Sequence, residues 1–147
     1  MKSNADNYLK YWRVIRQFVK VKYSLSQSDL DILLFLYSEK YFDRGKFDEF
    51  DNILGWDVMR FQRLLKEGWI VIFRKRLKNH KVVYQLPIKT TRLIQSIYRK
   101  LNGEEIPVSN SYNRMFHKNV SYTDKVYKDM IIEMNKVIKQ QRHRSPE

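Results

Sequence analysis

Hydrophobic positions recur along most of this chain at the three-to-four-residue spacing of amphipathic helices. Leu9, Trp12, Ile15, Phe18 and Val19 keep that spacing, with Lys10, Arg13, Arg16 and Lys20 on other faces, and predict an N-terminal helix over 6–21. Ser26 stands three residues before Asp29, a capping-box spacing, and Leu30, Leu33, Leu34 and Tyr37 follow as the stripe of a second helix. After a polar break at Asp43, Arg44 and Gly45, a short helix over 46–54 places Phe47, Phe50, Ile53 and Leu54 on one face and closes at Gly55. Asp57 can cap the next helix, whose inward stripe is Val58, Phe61, Leu64 and Leu65 and which ends at Gly68. Two short helices about a glycine turn predict a helix-turn-helix over 46–67.

The pattern then changes. Trp69 to Phe73 and Val82 to Leu86 are β-branched and aromatic around a basic polar tip, which predicts a hairpin over 69–86. Pro87 stops the second strand, and Thr90 or Thr91 can cap a return helix over 90–102 carrying Leu93, Ile94, Ile97, Tyr98 and Leu101. Residues 104–120 lack periodicity and read as an extended connector, in which Met115 and Phe116 can still dock on a core. Ser121 and Asp124 again have capping spacing. Tyr127, Met130, Ile131, Met134, Val137 and Ile138 then mark a C-terminal amphipathic helix over 121–140, followed by a flexible tail over 141–147. The expected fold is mainly α with a small β-hairpin wing: a winged helix-turn-helix domain over 1–103 with N- and C-terminal helices.

Composition narrows what such a fold can do. The 147 residues carry 29 Lys plus Arg against 16 Asp plus Glu, a net charge of +13, and no cysteine. Disulfides, thiolate metal sites and cysteine nucleophiles are thereby excluded. With 43% hydrophobic residues the chain is no disordered polycation, and its four glycines and three prolines disfavour an all-β design. No run approaches the roughly 18 apolar residues of a membrane span, and no hydrophobic leader precedes the first helix, so the expected setting is the cytoplasm of a bacterial or phage-infected cell. Enzyme chemistry is not expected: no phosphate loop, zinc-ligand pair or nucleophile elbow occurs. His80, His117 and His143 are scattered, and Asp48, Glu49 and Asp51 alternate with Phe47 and Phe50 as a solvated face. No metal or cofactor is expected either.

A basic folded helical domain makes nucleic acid the first partner to consider. On the outward face of helix 57–66 the pattern places Trp56, Met59, Arg60 and Arg63, with Gln62 on the flank and Lys66 at the end; the arginines suit guanine edges or phosphates. The hairpin concentrates Arg74, Lys75, Arg76, Lys78, His80 and Lys81 in one stretch, a density that phosphate neutralisation explains.

Leu25-Ser26-Gln27-Ser28-Asp29-Leu30, the run from Leu54-Gly55-Trp56 through Leu64-Leu65-Lys66-Glu67-Gly68-Trp69-Ile70, and Leu86-Pro87-Ile88-Lys89-Thr90 to Leu101 resemble the MarR family of dimeric winged-helix regulators. The resemblance spans about residues 8–103. It implies duplex-DNA binding by a homodimer, with the first and last helices as the dimer interface: here Trp12, Ile15, Phe18, Tyr127, Met130, Ile131, Met134, Val137 and Ile138. The same stripe can instead pack back on its own chain. One departure stands out, because the family's Asp-x-Arg motif in the wing is replaced by Lys78-Asn79-His80-Lys81. Trp56 and Met59 on the groove face suit a protein contact better than base reading. A second function therefore stays open, a structural or assembly module of a phage particle or nucleoprotein complex, located in the virion. The single alanine and abundant Lys, Asn, Ile and Tyr fit an AT-rich bacterial or phage genome.

Overall fold

The computed structural model describes residues 4–109 and 111–143. Among them the chain is mainly helical with one small antiparallel sheet. Its elements in order are α1 (Asn4–Tyr23), α2 (Gln27–Tyr37), β1 (Tyr41–Phe42), α3 (Arg44–Leu54), α4 (Val58–Lys66), β2 (Val71–Arg74), β3 (Val83–Gln85), α5 (Ile88–Leu101), a single 3-10 turn (Arg114–Phe116) and α6 (Tyr122–His143). The chain divides into two compact units: residues up to Leu25 together with those from Ser96 onward, and Ser26–Gln95. This partition differs from the expected 1–103 domain, since α1 groups with the connector and α6.

In the first unit the buried face of α1 is Tyr11, Val14, Ile15, Phe18 and Val19, while Leu9 is exposed and Trp12 half-buried. The apolar stripe is therefore rotated from the expected one. Helix α6 and the 3-10 turn pack on α1. The connector is part of this core, with Ile106, Asn113 and Met115 buried. Asn135, a buried amide within the apolar stripe of α6, accepts from the Ile106 N–H at 3.0 Å and donates to its carbonyl at 2.9 Å. Arg114 donates to the Val21 carbonyl at 2.9 Å and the Ser24 hydroxyl at 3.0 Å, closing the connector on the end of α1. The expected tail begins too early: α6 runs to His143, and Arg142 pairs with Glu105 at 3.1 Å. Residues 144–147 of that tail lie outside the described residues.

The second unit holds α2, α3, α4, the sheet and the start of α5. Its core joins Leu30, Ile32, Leu33 and Leu36 of α2 to Phe47, Phe61, Leu64 and Ile70. Strand order is β1-β3-β2, with Tyr41 opposite Gln85, Phe42 opposite Tyr84, and a bulge in β2 between Ile72 and Arg74. The sheet thus has one strand more than the predicted hairpin. Two residues are too short a run for alternation to reveal β1. Trp69 and Ile70, expected in the first strand, precede it as the exit of α4. Thr90 and Thr91 do not cap α5. The helix starts at Ile88 behind Pro87, whose missing N–H suits a helix start; Thr90 is buried and its hydroxyl donates to the Trp69 carbonyl at 2.7 Å.

Candidate nucleic-acid interface

Helices α3 and α4 are fixed at both ends by short-range polar chemistry. The Asp43 carboxylate accepts from the Lys46 N–H at 2.9 Å and caps α3, which begins at Arg44, two residues before the expected start. Gly55, at φ 68°, ends the helix in the left-handed conformation that a residue with a Cβ adopts only with strain. Asp57 caps α4 by accepting from Met59 at 3.0 Å. At the other end the Trp69 N–H reaches the Leu64 carbonyl at 2.9 Å and Gly68 reaches Leu65 at 3.2 Å, a Schellman closure that passes the chain to β2.

Only part of the two expected helix faces survives. Phe61 and Leu64 are buried and Leu65 half-buried; the side chain of Val58 lies outside the described residues. Ile53 and Leu54, expected inward, are 79% and 43% exposed. Trp56, expected on the outward face, is buried against Phe35, Phe47 and Phe50 with ring centroids 5.6–5.8 Å away. It precedes the capping Asp57, so its position cannot be read by extending the wheel of α4. Met59, Gln62, Arg63 and Lys66 are exposed.

Arg60 and Arg63 have a task inside the chain. Asp29 is 3% exposed, and it receives the Ser26 N–H at 3.0 Å, the Arg60 guanidinium at 3.1 Å and the Arg63 guanidinium. Ser26 closes the capping box of α2 by accepting from the Asp29 N–H at 3.1 Å, and its hydroxyl also takes the Arg60 Nη1 at 2.9 Å. Burial alone would raise the pKa of Asp29. The hydrogen bonds from Ser26 and Arg60 and the charge of Arg63 outweigh it and hold the carboxyl below its ordinary value. One carboxylate at the start of α2 thereby anchors α4. Their sequence spacing gave no sign of this, because the partners are 31 and 34 residues apart.

The hairpin is the opposite case. Every residue from Ile72 to Lys81 is exposed. Its tip is closed by reciprocal backbone bonds between Leu77 and His80, at 2.9 and 3.3 Å, around Lys78-Asn79. Among the described residues Arg74, Lys75, Arg76, Lys78 and Lys81 form no ion pair, whereas Arg44, Lys46, Arg60 and Arg63 of the same unit all do. Asp48 and Glu49 are taken up along α3 by Arg44 at 3.3 Å and Lys46 at 3.1 Å.

The residues expected at a dimer interface divide differently. Ile15, Phe18, Ile131, Met134 and Ile138 are buried within the first unit, which corrects their assignment to a contact with another chain. The apolar stripe of α6 is wide enough to cover α1 in the same chain, and that packing consumes it. Trp12, Tyr127 and Val137 are half-buried, with the Arg16 guanidinium 5.6 Å from the Trp12 ring centre, and Met130 is 37% exposed.

Among the described residues no cluster of three or more His, Asp or Glu side chains could hold a metal ion, and no helix is long and apolar enough to cross a membrane. No family model, curated protein or solved structure matches the chain.

Proposed function

We propose that the chain is a winged helix-turn-helix protein of MarR-like design that binds duplex DNA, with the β2–β3 hairpin as its main phosphate-contacting element and α4 as the helix presented to a groove. The observation that carries the reading is the set of five exposed hairpin cations that form no ion pair among the described residues. Like charges held this close repel one another, and a polyanion relieves that cost while releasing its own counterions. On α4, Gln62 and Lys66 are exposed, and Lys66 forms no ion pair among the described residues, whereas Arg60 and Arg63 reach an anion only with the guanidinium edges that Asp29 leaves free. Affinity is therefore mainly electrostatic, as suits a transcriptional regulator whose sequence preference comes from few residues.

Anisotropy titrations of labelled duplex DNA across a salt series test this. Binding should weaken steeply with salt, and replacing Lys75, Arg76 and Lys78 by alanine should flatten the log–log slope by about 0.9 for each phosphate that is no longer neutralised. Absence of binding at low salt overturns the reading.

A second reading, an assembly module of a phage particle or nucleoprotein complex, is favoured by the apolar surface at the α3–α4 turn, where Ile53 and Met59 are 79% and 70% exposed. Self-association, if it accompanies either role, would use the stripe that α6 leaves outside, Tyr122, Val126 and Met130. Sedimentation of the free protein measures it directly.

A further inference from the structure

The outer face of the sheet carries an aromatic pair that the duplex reading does not use. Tyr41 on β1 and Phe73 on β2 bring their ring centroids to 4.5 Å with planes tilted by 46°, although the two strands are separated by β3. The β2 bulge between Ile72 and Arg74 falls at Phe73. A bulge re-aims a side chain, and here it accompanies the approach of Phe73 to Tyr41. The two residues remain 54% and 51% exposed. With Val83, Phe42, Asp43 and Arg74 they line a shallow cavity of about 360 Å³ that is open to solvent.

The charges around this pair select its occupant. The chain runs from Phe73 directly into Arg74-Lys75-Arg76, and Lys40 immediately precedes Tyr41. None of these four cations forms an ion pair among the described residues. The one acid lining the cavity, Asp43, already accepts from the Lys46 backbone as the cap of α3. Half-exposed aromatic side chains beside Arg74, with Lys40, Lys75 and Arg76 adjacent along the chain, match a ligand with a flat π face and an anionic chain on either side. A nucleotide strand is that ligand, and its bases are open to stacking only where they are not enclosed in a duplex.

We propose that Tyr41 and Phe73 form a stacking site for an unpaired nucleobase, with Lys40, Arg74, Lys75 and Arg76 holding the flanking phosphates. This inference rests on the nucleic-acid reading of the hairpin and adds a preference for single-stranded or locally opened nucleic acid. Sequence dependence is weak at such a site, because every base offers a π face.

The test compares three probes on the full chain by anisotropy at one salt concentration: a short thymidine oligonucleotide, an abasic oligonucleotide of the same length and charge, and a duplex. The parent protein should bind the thymidine strand more tightly than the abasic one by about 5- to 160-fold for each base stacked. Phe73→Leu and Tyr41→Leu keep apolar volume and should bring that ratio close to one, leaving abasic affinity within about twofold because the phosphates are still held. Equal binding of both strands by the parent, or a ratio unchanged in both variants, overturns the stacking site while duplex binding stands. Failure to bind any of the three probes overturns the duplex reading as well. The parent ratio needs no variant, so a variant that folds poorly by circular dichroism does not remove the test.

Discussion

Replacing Asp29 by asparagine should weaken the fold and strengthen binding to duplex DNA at the same time. The carboxylate accepts three hydrogen bonds, from Ser26, Arg60 and Arg63. Oδ1 accepts from both arginines and Oδ2 from the Ser26 N–H, and asparagine has one oxygen. The variant therefore keeps at most the two arginine bonds as neutral ones, about 1 kcal/mol weaker each, and gives up the Ser26 bond at about 1.5 kcal/mol, about 3.5 in all. The two arginine side chains are 28% and 46% exposed, and water screens and partly rehydrates them once released. The expected loss is therefore about 2 kcal/mol, below the roughly 3–5 kcal/mol of breaking a fully buried pair. Urea denaturation followed by tryptophan fluorescence reads it, since Trp56 and Trp69 are both buried in the unit concerned.

The pH dependence gives an independent check. The folded-state pKa of Asp29 is depressed, so its contribution is complete above the unfolded value of about 3.9 and disappears as pH falls through the lower folded value. The stability gap between parent and Asp29→Asn should be constant from about pH 5 to 8 and close below about pH 4. Freed guanidiniums and one added unit of net charge should also steepen the salt dependence of duplex binding, by up to about 0.9 in log–log slope for each further phosphate neutralised. A variant as stable as the parent refutes Asp29 as the anchor of α4. Lower stability with unchanged DNA affinity refutes the claim that these arginines can meet phosphate.

Asn135→Ala should cost about 3 kcal/mol in urea denaturation, because it strands both the N–H and the carbonyl of buried Ile106; a cost under about 1 kcal/mol would mean that water replaces the amide. Gly68→Ala should cost about 1–2 kcal/mol, since φ is 82° and the nearest atom to a new Cβ, the Lys89 Nζ, is 3.7 Å away. Backbone conformation, not crowding, sets that penalty, and Gly68→Asn should recover part of it. Lys100 is buried with its ammonium on Ser96 at 2.7 Å, and burial lowers its pKa. The parent should gain stability as pH rises from the folded value toward the ordinary lysine value of about 10.4, and Lys100→Met should abolish that gain. At neutral pH the same variant should be neutral or about 1 kcal/mol more stable; a large loss in denaturation would show that the charge is needed where it sits.

What could be read from the sequence was local. Ser26 with Asp29, Asp57 and the two helix-ending glycines all act within three or four residues, the range over which spacing carries meaning. The exposed basic hairpin was legible too, because strand propensity and charge density coincide there. The missed features join distant positions. Asp29 meets Arg60 and Arg63, Asn135 meets Ile106, and Tyr41 meets Phe73 across an intervening strand, and no periodicity of a single helix encodes such pairs. Trp56 escapes the pattern for a related reason: it lies between two helices, where neither wheel applies. The α6 stripe is apolar on its spacing alone, but a stripe has the same spacing whether it covers its own chain or another.

Two groups of cations in the second unit respond differently to salt. Arg44 and Lys46 pair along α3, and Arg60 and Arg63 share a carboxylate that is hardly exposed, so each contributes a field already weakened at its source. The hairpin cations carry no such compensation among the described residues. Consecutive Cα atoms are about 3.8 Å apart, so the backbone positions of Arg74, Lys75, Arg76 and Lys78 each lie within the roughly 8 Å Debye length of the next at physiological ionic strength. Their fields therefore add instead of being screened one by one. An approaching polyanion is drawn to the hairpin before it meets α4, and the net charge of +13 overstates what the helix offers and understates what the hairpin does. On the proposed function, orientation on a nucleic acid would be set by the hairpin, and any sequence preference would fall to Gln62, Lys66 and the guanidinium edges that Asp29 does not occupy.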